Sequence, residues 1–129
     1  MNPISDPTKT PMNTTPNTST LAFKMQLRTE VPGVVAEYKK RHDEIWPELA
    51  MALREAGIFD YWIFLDEATL TLFAVLKRQP GDATADANFA ALDTLPVMRR
   101  WWDHMAPLML VEPGNKPLQW PLPAMFHLA

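Results

Sequence analysis

The sequence predicts a single α+β domain in the order β-α-β-β-α-β, an antiparallel sheet covered by two helical regions. Three observations support this prediction. Polar and apolar residues alternate over residues 21–28, apolar residues recur at helical spacing over 34–56, and two β-rich runs within 59–77 flank a short polar connection. Hydrophobic residues make up 47% of the 129 residues, which is enough to bury one core.

The first predicted element is a strand that follows an N-terminal tail. Residues 1–20 are mostly Thr, Pro, Asn and Ser, so we expect a disordered tail. They lack the charged start and apolar middle of a signal peptide, which predicts a cytoplasmic protein. From Leu21 to Arg28 the side chains alternate with a period of two, which predicts a half-buried strand. The single domain is expected to span residues 21–129.

The second element is a helix with two unusual residues. Apolar side chains spaced three and four apart predict a helix over residues 34–56. His42 fills a step of this apolar stripe, between Tyr38 and Trp46. Pro47 is expected to end or kink the helix at Trp46, because a proline ring clashes with the carbonyl group of the preceding turn.

The remaining elements complete the order. The runs within residues 59–77 predict a hairpin whose connection is residues 66–69. A second helical region is expected over 82–92 and again over 96–105, where a proline suits the first helical position. The proline-rich end of the chain finishes in a short extended segment, residues 124–129. This order is that of the ferredoxin-like plait.

A plait of this kind covers only one face of its sheet. In the first run of the hairpin, Tyr61 shares one face with Ile63 and Leu65, while Trp62 and Phe64 take the other. Large aromatic side chains on both faces predict that the uncovered face is buried in a homodimer, the dimeric α/β-barrel type.

Charge and composition exclude several classes of partner. The chain has 12 Lys and Arg against 15 Asp and Glu, a net charge of −3. This balance argues against nucleic acids and anionic membranes as partners. No stretch of the sequence is long and apolar enough to predict a membrane span.

Composition also limits the chemistry. The chain has no cysteine, so disulfides, thiolate metal sites and cysteine nucleophiles are excluded. It has no G-x-S-x-G motif and no glycine-rich phosphate loop. The three histidines do not share a helical two-histidine spacing, so no metal site is expected. His104 is expected to be solvated, and His127 to lie at the surface or at a dimer interface.

Five side chains are candidates for a functional site. His42 is the candidate for proton transfer, because histidine titrates near neutrality. The alternative is a core histidine whose ring is hydrogen-bonded, and the sequence leaves both open. Tyr38 lies one helical turn from His42. Adjacent side chains on a helix point about 100° apart, so Trp101 and Trp102 cannot share one narrow stripe, and one of them could flank a cleft. Tyr61 is either a core residue or a site residue.

Four segments together resemble the L-rhamnose mutarotase family: EYKKRHDEIWPEL, DYWIFLD, RRWWDHM and the terminal MFHLA. The resemblance spans residues 21–129. It implies a small dimeric protein that interconverts the α and β anomers of L-rhamnose without a metal or an organic cofactor. It also implies that His42 is the acid–base histidine, and that the sugar-binding aromatic residues are Tyr38, Tyr61, Trp101 and Trp102.

The sequence departs from the family pattern at two places. Asp60 stands where asparagine is the more familiar residue, and Pro123 and Ala124 stand where an acidic residue is common. Two other interpretations stay open. The same fold serves cofactor-independent monooxygenases and haem-degrading enzymes, and a non-catalytic dimer could bind a small molecule between its sheets.

Overall fold

The computed structural model describes residues 18–129, so residues 1–17 of the predicted tail lie outside the described residues. None of the helices in this described part is long and apolar enough to cross a bilayer. The strands are β1 (Ser19–Gln26), β2 (Ile58–Asp66), β3 (Thr71–Arg78) and β4 (Trp120–Pro121). The helices are α1 (Val34–Asp43), α2 (Pro47–Glu55), α3 (Ala83–Ala91) and α4 (Pro96–Met105).

The four strands form one antiparallel sheet in the order β2-β3-β1-β4. One pair of helices connects β1 to β2, and the other pair connects β3 to β4. This is the ferredoxin-like plait, so the predicted fold class is confirmed. β1 and β3 occupy the centre of the sheet, where each is hydrogen-bonded on both sides.

One face of the sheet, the inner face, packs against the helices. In β3 the buried residues are Leu72, Ala74, Leu76 and Arg78, and the residues between them are only partly buried. Met25 of β1 pairs with Leu72, and Ile63 of β2 pairs with Ala74, so both lie on the same face. The period of two in the sequence therefore reflects a sheet with one buried face.

The opposite face, the outer face, is uncovered in the single chain. Phe59, Trp62 and Phe64 of β2 lie on it, with 45%, 57% and 53% of their surface exposed. The rings of Trp62 and Phe64 stack with their centroids 5.7 Å apart. Their predicted placement on the face opposite Ile63 and Leu65 is confirmed by the pairing with β3.

Pro47 divides the predicted helix into two. α1 ends at Asp43, and α2 begins at Pro47 after an extended Trp46. Proline is favourable at the first helical position because that position needs no N–H donor, and it keeps the preceding residue out of the helical conformation. The predicted break is confirmed, although α1 ends before Trp46. Tyr38 and His42 therefore lie on a short helix of their own.

The last strand lies earlier in the chain than expected. β4 is formed by Trp120–Pro121, which pairs with β1, whereas residues 124–129 belong to no strand. Leu122 still donates to the backbone oxygen of Ala22 at 2.9 Å, but Pro123 has no N–H group to donate, so the pairing does not continue beyond it. The prediction of an extended strand at the end of the chain is therefore wrong. Three apolar side chains in this segment are 82–90% exposed: Met125, Phe126 and Leu128.

Candidate active site

A cavity of about 820 Å³ lies between the inner face of the sheet and the helices. A cavity of this size, with a mostly apolar wall and a few polar groups, is typical of small-molecule sites. Its wall includes all five predicted site residues. The polar and charged side chains of the wall are Tyr38, Lys39, His42, Asp43, Tyr61, Asp93, Lys116 and Gln119.

His42 lies in the last turn of α1, with its ring held by Tyr38. The ring centroids are 4.3 Å apart and the planes are 29° from parallel. Nδ1 of His42 lies 3.2 Å from the backbone oxygen of Tyr38. A carbonyl oxygen can only accept, so this hydrogen bond requires the proton on Nδ1. The neutral ring then presents Nε2 as its acceptor.

Burial lowers the pKa of His42, because the charged imidazolium loses solvation inside the protein. The hydrogen bond to Tyr38 and the nearby charge of Asp43 oppose this effect but do not cancel it. His42 is therefore mainly neutral at pH 7. A neutral imidazole with Nε2 unprotonated can accept a proton from a bound hydroxyl group.

Tyr38 and Tyr61 approach the same region of the cavity from different elements. Tyr38 is buried on α1, and loss of solvation raises its pKa, with a smaller contribution from Tyr61. Tyr61 of β2 is 38% exposed as a residue, but burial around its hydroxyl raises its pKa to about 12. Both hydroxyls stay protonated at neutral pH, so each can donate a hydrogen bond to a ligand.

Trp101 of α4 lies in an aromatic cluster with His42. The ring of Trp101 meets that of His42 edge-on at 5.4 Å and that of Trp46 edge-on at 5.1 Å. His104 contacts both indoles, at 5.4 Å from Trp46 and 5.6 Å from Trp101. Edge-to-face packing at these distances is favourable for aromatic rings. The cluster fixes the orientation of Trp101 beside His42.

Two members of this cluster were missed as site residues. His104 is partly buried, so the expectation of a solvated side chain is wrong. The sequence did contain a signal for this position, because His104 follows Trp101 by three residues and the two therefore lie on one helical face. Trp46 was predicted only as a member of the apolar stripe of the helix over residues 34–56. Neither residue belongs to the cavity wall, so both support Trp101 from outside the cavity.

Trp102 lies in the cavity wall but does not join the aromatic cluster. Its ring packs against two cations, Arg99 at 5.5 Å and Lys116 at 5.8 Å. Lys116 also pairs with Asp93 at 2.6 Å. The two tryptophans, which are 7% and 6% exposed, therefore face different parts of the cavity. The predicted difference in direction is confirmed, and both indoles, not one of them, border the cavity.

Arg41 links the helix of His42 to the helix of Trp101. Its Nε donates to the carboxylate of Glu37 at 2.7 Å, and its Nη1 donates to the backbone oxygen of His104 at the end of α4. A guanidinium group with two fixed acceptors holds its direction well. Arg41 thus maintains the separation of α1 and α4, on which the contact between His42 and Trp101 depends.

The polar groups of the wall are suited to a ligand rich in hydroxyls. Within residues 18–129, no three His, Asp or Glu side chains lie close enough together to hold a metal ion. The wall combines two tyrosine hydroxyls, one histidine, two lysine–aspartate pairs and flat aromatic faces. Aromatic rings and hydroxyl donors together can bind a sugar by stacking and hydrogen bonding.

A family model for L-rhamnose mutarotase matches residues 20–128. The chain belongs to the L-rhamnose mutarotase family. The L-rhamnose mutarotase of Burkholderia cenocepacia is 55% identical over 109 residues, which are 84% of this chain and 97% of that protein. The one from a Jannaschia species is 54% identical over 107 residues, 83% of this chain and 95% of that protein.

Two solved structures are similar to this one. The crystal structure of an L-rhamnose mutarotase from Formosa agariphila is 40% identical, with a TM-score of 0.72, over 86% of this chain and 99% of that chain. A protein from Nitrosomonas europaea, described as an antibiotic biosynthesis monooxygenase, has a TM-score of 0.52 at 13% identity over 89% of this chain and 97% of that chain. At that identity the second likeness shows the fold alone, so the monooxygenase interpretation gains no functional support.

Proposed function

We propose that this member of the L-rhamnose mutarotase family interconverts the α and β anomers of L-rhamnose in the cavity, with His42 as the acid–base group. One observation carries the proposal: His42 is the side chain in the cavity wall whose ordinary pKa, 6.5, is near neutrality. Tyr38 and Tyr61 stay protonated at neutral pH, because burial raises the pKa of both hydroxyls. Proton transfer at neutral pH is therefore assigned to the histidine.

The reaction requires a proton to move between two oxygens of the same carbon. Nε2 of neutral His42 accepts the proton of the anomeric hydroxyl group, and a carbonyl forms at C1. The bond from C1 to the ring oxygen breaks, its electron pair moves to that oxygen, and the imidazolium returns the proton there. Rotation about the bond from C1 to C2, followed by the reverse steps, gives the other anomer.

The small number of catalytic groups suits this reaction. Ring opening of sugars in water takes minutes to hours, which corresponds to a barrier of about 22 kcal/mol. One positioned acid–base group typically supplies about 10²- to 10⁴-fold. Hydrolysis of a glycosidic bond would instead require two carboxyl groups that are free to flank the bond, whereas the two carboxylates of the wall are paired, Asp43 with Lys39 at 2.9 Å and Asp93 with Lys116 at 2.6 Å. A cavity wall with a single group near neutrality therefore favours mutarotation.

The aromatic residues of the wall are assigned to binding. Tyr38 and Tyr61 donate hydrogen bonds to sugar hydroxyls, since both remain protonated. Trp101 and Trp102 offer indole faces in two parts of the cavity. Apolar side chains make up most of the remaining wall, and they can accept the methyl group that distinguishes a 6-deoxy sugar.

Saturation-transfer NMR of the two rhamnose anomers tests the proposed activity. We expect the wild-type protein to accelerate the exchange of anomers above the buffer rate. The acceleration should be larger for L-rhamnose than for L-fucose or D-ribose. A calorimetric titration with the same sugar distinguishes a catalyst from a binding protein. Rhamnose binding without accelerated exchange would show a sugar-binding module and not a mutarotase.

We also propose that the chain works as a homodimer through its outer face. Phe59, Trp62 and Phe64 there are exposed by about half in the single chain, and such a contiguous apolar surface is unfavourable in water. The terminal segment, residues 122–129, adds further exposed apolar side chains. A second copy of the chain that covers the outer face would bury Phe59, Trp62 and Phe64. The cytoplasmic location stays a prediction from the sequence.

Replacement of Phe64 by glutamate should convert this dimer to a monomer. The substitution places a charge in the aromatic patch of the outer face, beside Trp62, which is costly if that face is buried and harmless if it is solvated. Sedimentation velocity of the wild type and of Phe64→Glu measures the difference. The matched control is Met51→Glu on α2, since Met51 is 57% exposed and lies far from the outer face. A wild-type monomer, or a dimeric Phe64→Glu variant, would contradict the proposed interface.

A further inference from the structure

The strand that carries Tyr61 contains a β-bulge. Phe59 pairs with Lys77, but the next paired residue, Trp62, lies opposite Val75. Asp60 and Tyr61 therefore both stand opposite one residue of β3, Leu76. A bulge of this kind bends the strand, increases its twist and changes the direction of the side chains beside it.

Asp60 adopts a backbone conformation that side chains usually avoid. Its φ is 51°, in the left-handed region. Aspartate and asparagine enter this region more readily than other residues with a Cβ atom, because their short polar side chains bond locally. Strained backbone of this type persists only where neighbouring contacts hold it, and it is often found near functional sites.

Two contacts hold the side chain of Asp60, and each comes from a residue beside the bulge. The indole Nε1 of Trp62 donates to Oδ1 at 3.0 Å. The ammonium group of Lys77 lies 3.3 Å from Oδ2. One contact is within β2 and the other comes from β3, so the carboxylate fixes the bulge relative to both strands. These contacts also lower the pKa of Asp60, so the carboxylate is charged throughout the neutral range.

We propose that Asp60 is a positioning residue that aims Tyr61 into the cavity. Tyr61 directly follows the strained residue, and it points to the inner face with Ile63 and Leu65. Tyr61 lines the same cavity as His42 and as Tyr38, the residue that holds the ring of His42. The inference rests on the proposed function, because Tyr61 is there a sugar-binding side chain.

The geometry also accounts for the aspartate in place of the more familiar asparagine. Both residues tolerate the left-handed conformation, and both can accept the indole hydrogen bond. Only aspartate pairs with the charge of Lys77. Asp60→Asn therefore keeps the left-handed conformation and the hydrogen bond from Trp62 and loses only the ion pair with Lys77. Asp60→Gly keeps only the freedom to adopt the left-handed conformation. Asp60→Ala loses both that freedom and the side-chain contacts.

Anomer exchange measured against L-rhamnose concentration tests these three variants. We expect KM to stay near the wild-type value in Asp60→Asn, to rise in Asp60→Gly, and to rise about tenfold in Asp60→Ala, as the loss of one good hydrogen bond to the sugar implies. The value of kcat should change little, because His42 is untouched. Circular dichroism of each variant shows whether it is folded. If Asp60→Ala does not fold, the comparison of KM between Asp60→Asn and Asp60→Gly still tests the inference.

A double-mutant cycle with Tyr61 separates positioning from a general structural effect. If Asp60 acts through the hydroxyl of Tyr61, Asp60→Gly should have no further effect on KM in the Tyr61→Phe background. An undiminished effect in that background, or an unchanged KM in folded Asp60→Gly and Asp60→Ala, would overturn the inference while leaving the wild-type activity intact. A wild type without exchange activity would instead overturn the proposed function, and the inference with it.

Discussion

Replacement of His42 by alanine is expected to lower the catalysed exchange of rhamnose anomers by about 10²- to 10⁴-fold, the usual contribution of one acid–base group. His42 is the side chain in the cavity wall whose ordinary pKa, 6.5, is near neutrality, and its ring is already held by Tyr38 and Trp101. Saturation-transfer NMR with equal concentrations of both proteins, corrected for the buffer rate, measures the loss.

The matched control for this experiment is Lys40→Ala. Lys40 lies on the exposed side of the same helix, so its removal should leave exchange unchanged. Rhamnose affinity measured by calorimetry should fall much less than activity in His42→Ala, because binding is assigned mainly to other side chains. Wild-type exchange in a folded His42→Ala protein would remove the histidine from the mechanism.

The pH dependence gives a second readout for the same residue. Burial lowers the pKa of His42 below its ordinary value of 6.5, so the neutral, proton-accepting form persists into mildly acidic solution. The catalysed kcat/KM should therefore be flat across neutral pH and fall as the pH drops through a value below 6.5. Since the pKa of Tyr61 is raised to about 12, its hydroxyl should cause no loss on the alkaline side below that value. The residual activity of His42→Ala should lack the acid limb.

Replacement of Trp101 by alanine should have the largest effect on stability. Its side chain is 7% exposed and contacts His42, Trp46 and His104. Truncation of a buried tryptophan typically costs about 3–5 kcal/mol, which is a large part of the stability of a small domain. The same change removes one wall of the cavity beside His42, so exchange should fall together with the free energy of unfolding.

Urea unfolding at one fixed protein concentration measures this effect, since the stability of a dimer depends on concentration. Met51→Ala is the control, because Met51 on α2 is 57% exposed, lies away from the outer face and should cost about 1 kcal/mol or less. Trp101→Phe should recover part of the stability by retaining an aromatic ring. A loss for Trp101→Ala no larger than that for Met51→Ala would contradict the role assigned to the aromatic cluster.

The local elements of the fold could be predicted because their signals are local. The alternation of apolar residues within 59–77 reflects the buried face of two strands, and the helical spacing around Tyr38 reflects the buried face of α1. Both periods can be recognised from residues that are close together in the sequence. The effect of Pro47 depends only on its own ring and the preceding residue. The end of the chain was predicted less well, because whether an extended segment pairs depends on a partner strand elsewhere in the sequence.

The sequence by itself determined the order of elements, the alternation of Trp62 and Phe64 with Ile63 and Leu65, and the five candidate residues. Only the tertiary structure placed Tyr38 and His42 beside Trp101, and buried His104 among the indoles. It also decided which residue of β2 is the extra one, since a bulge is defined by its register with β3. The physical reason is the range of the interactions: secondary structure depends on near neighbours, whereas a site depends on contacts between residues far apart in the chain.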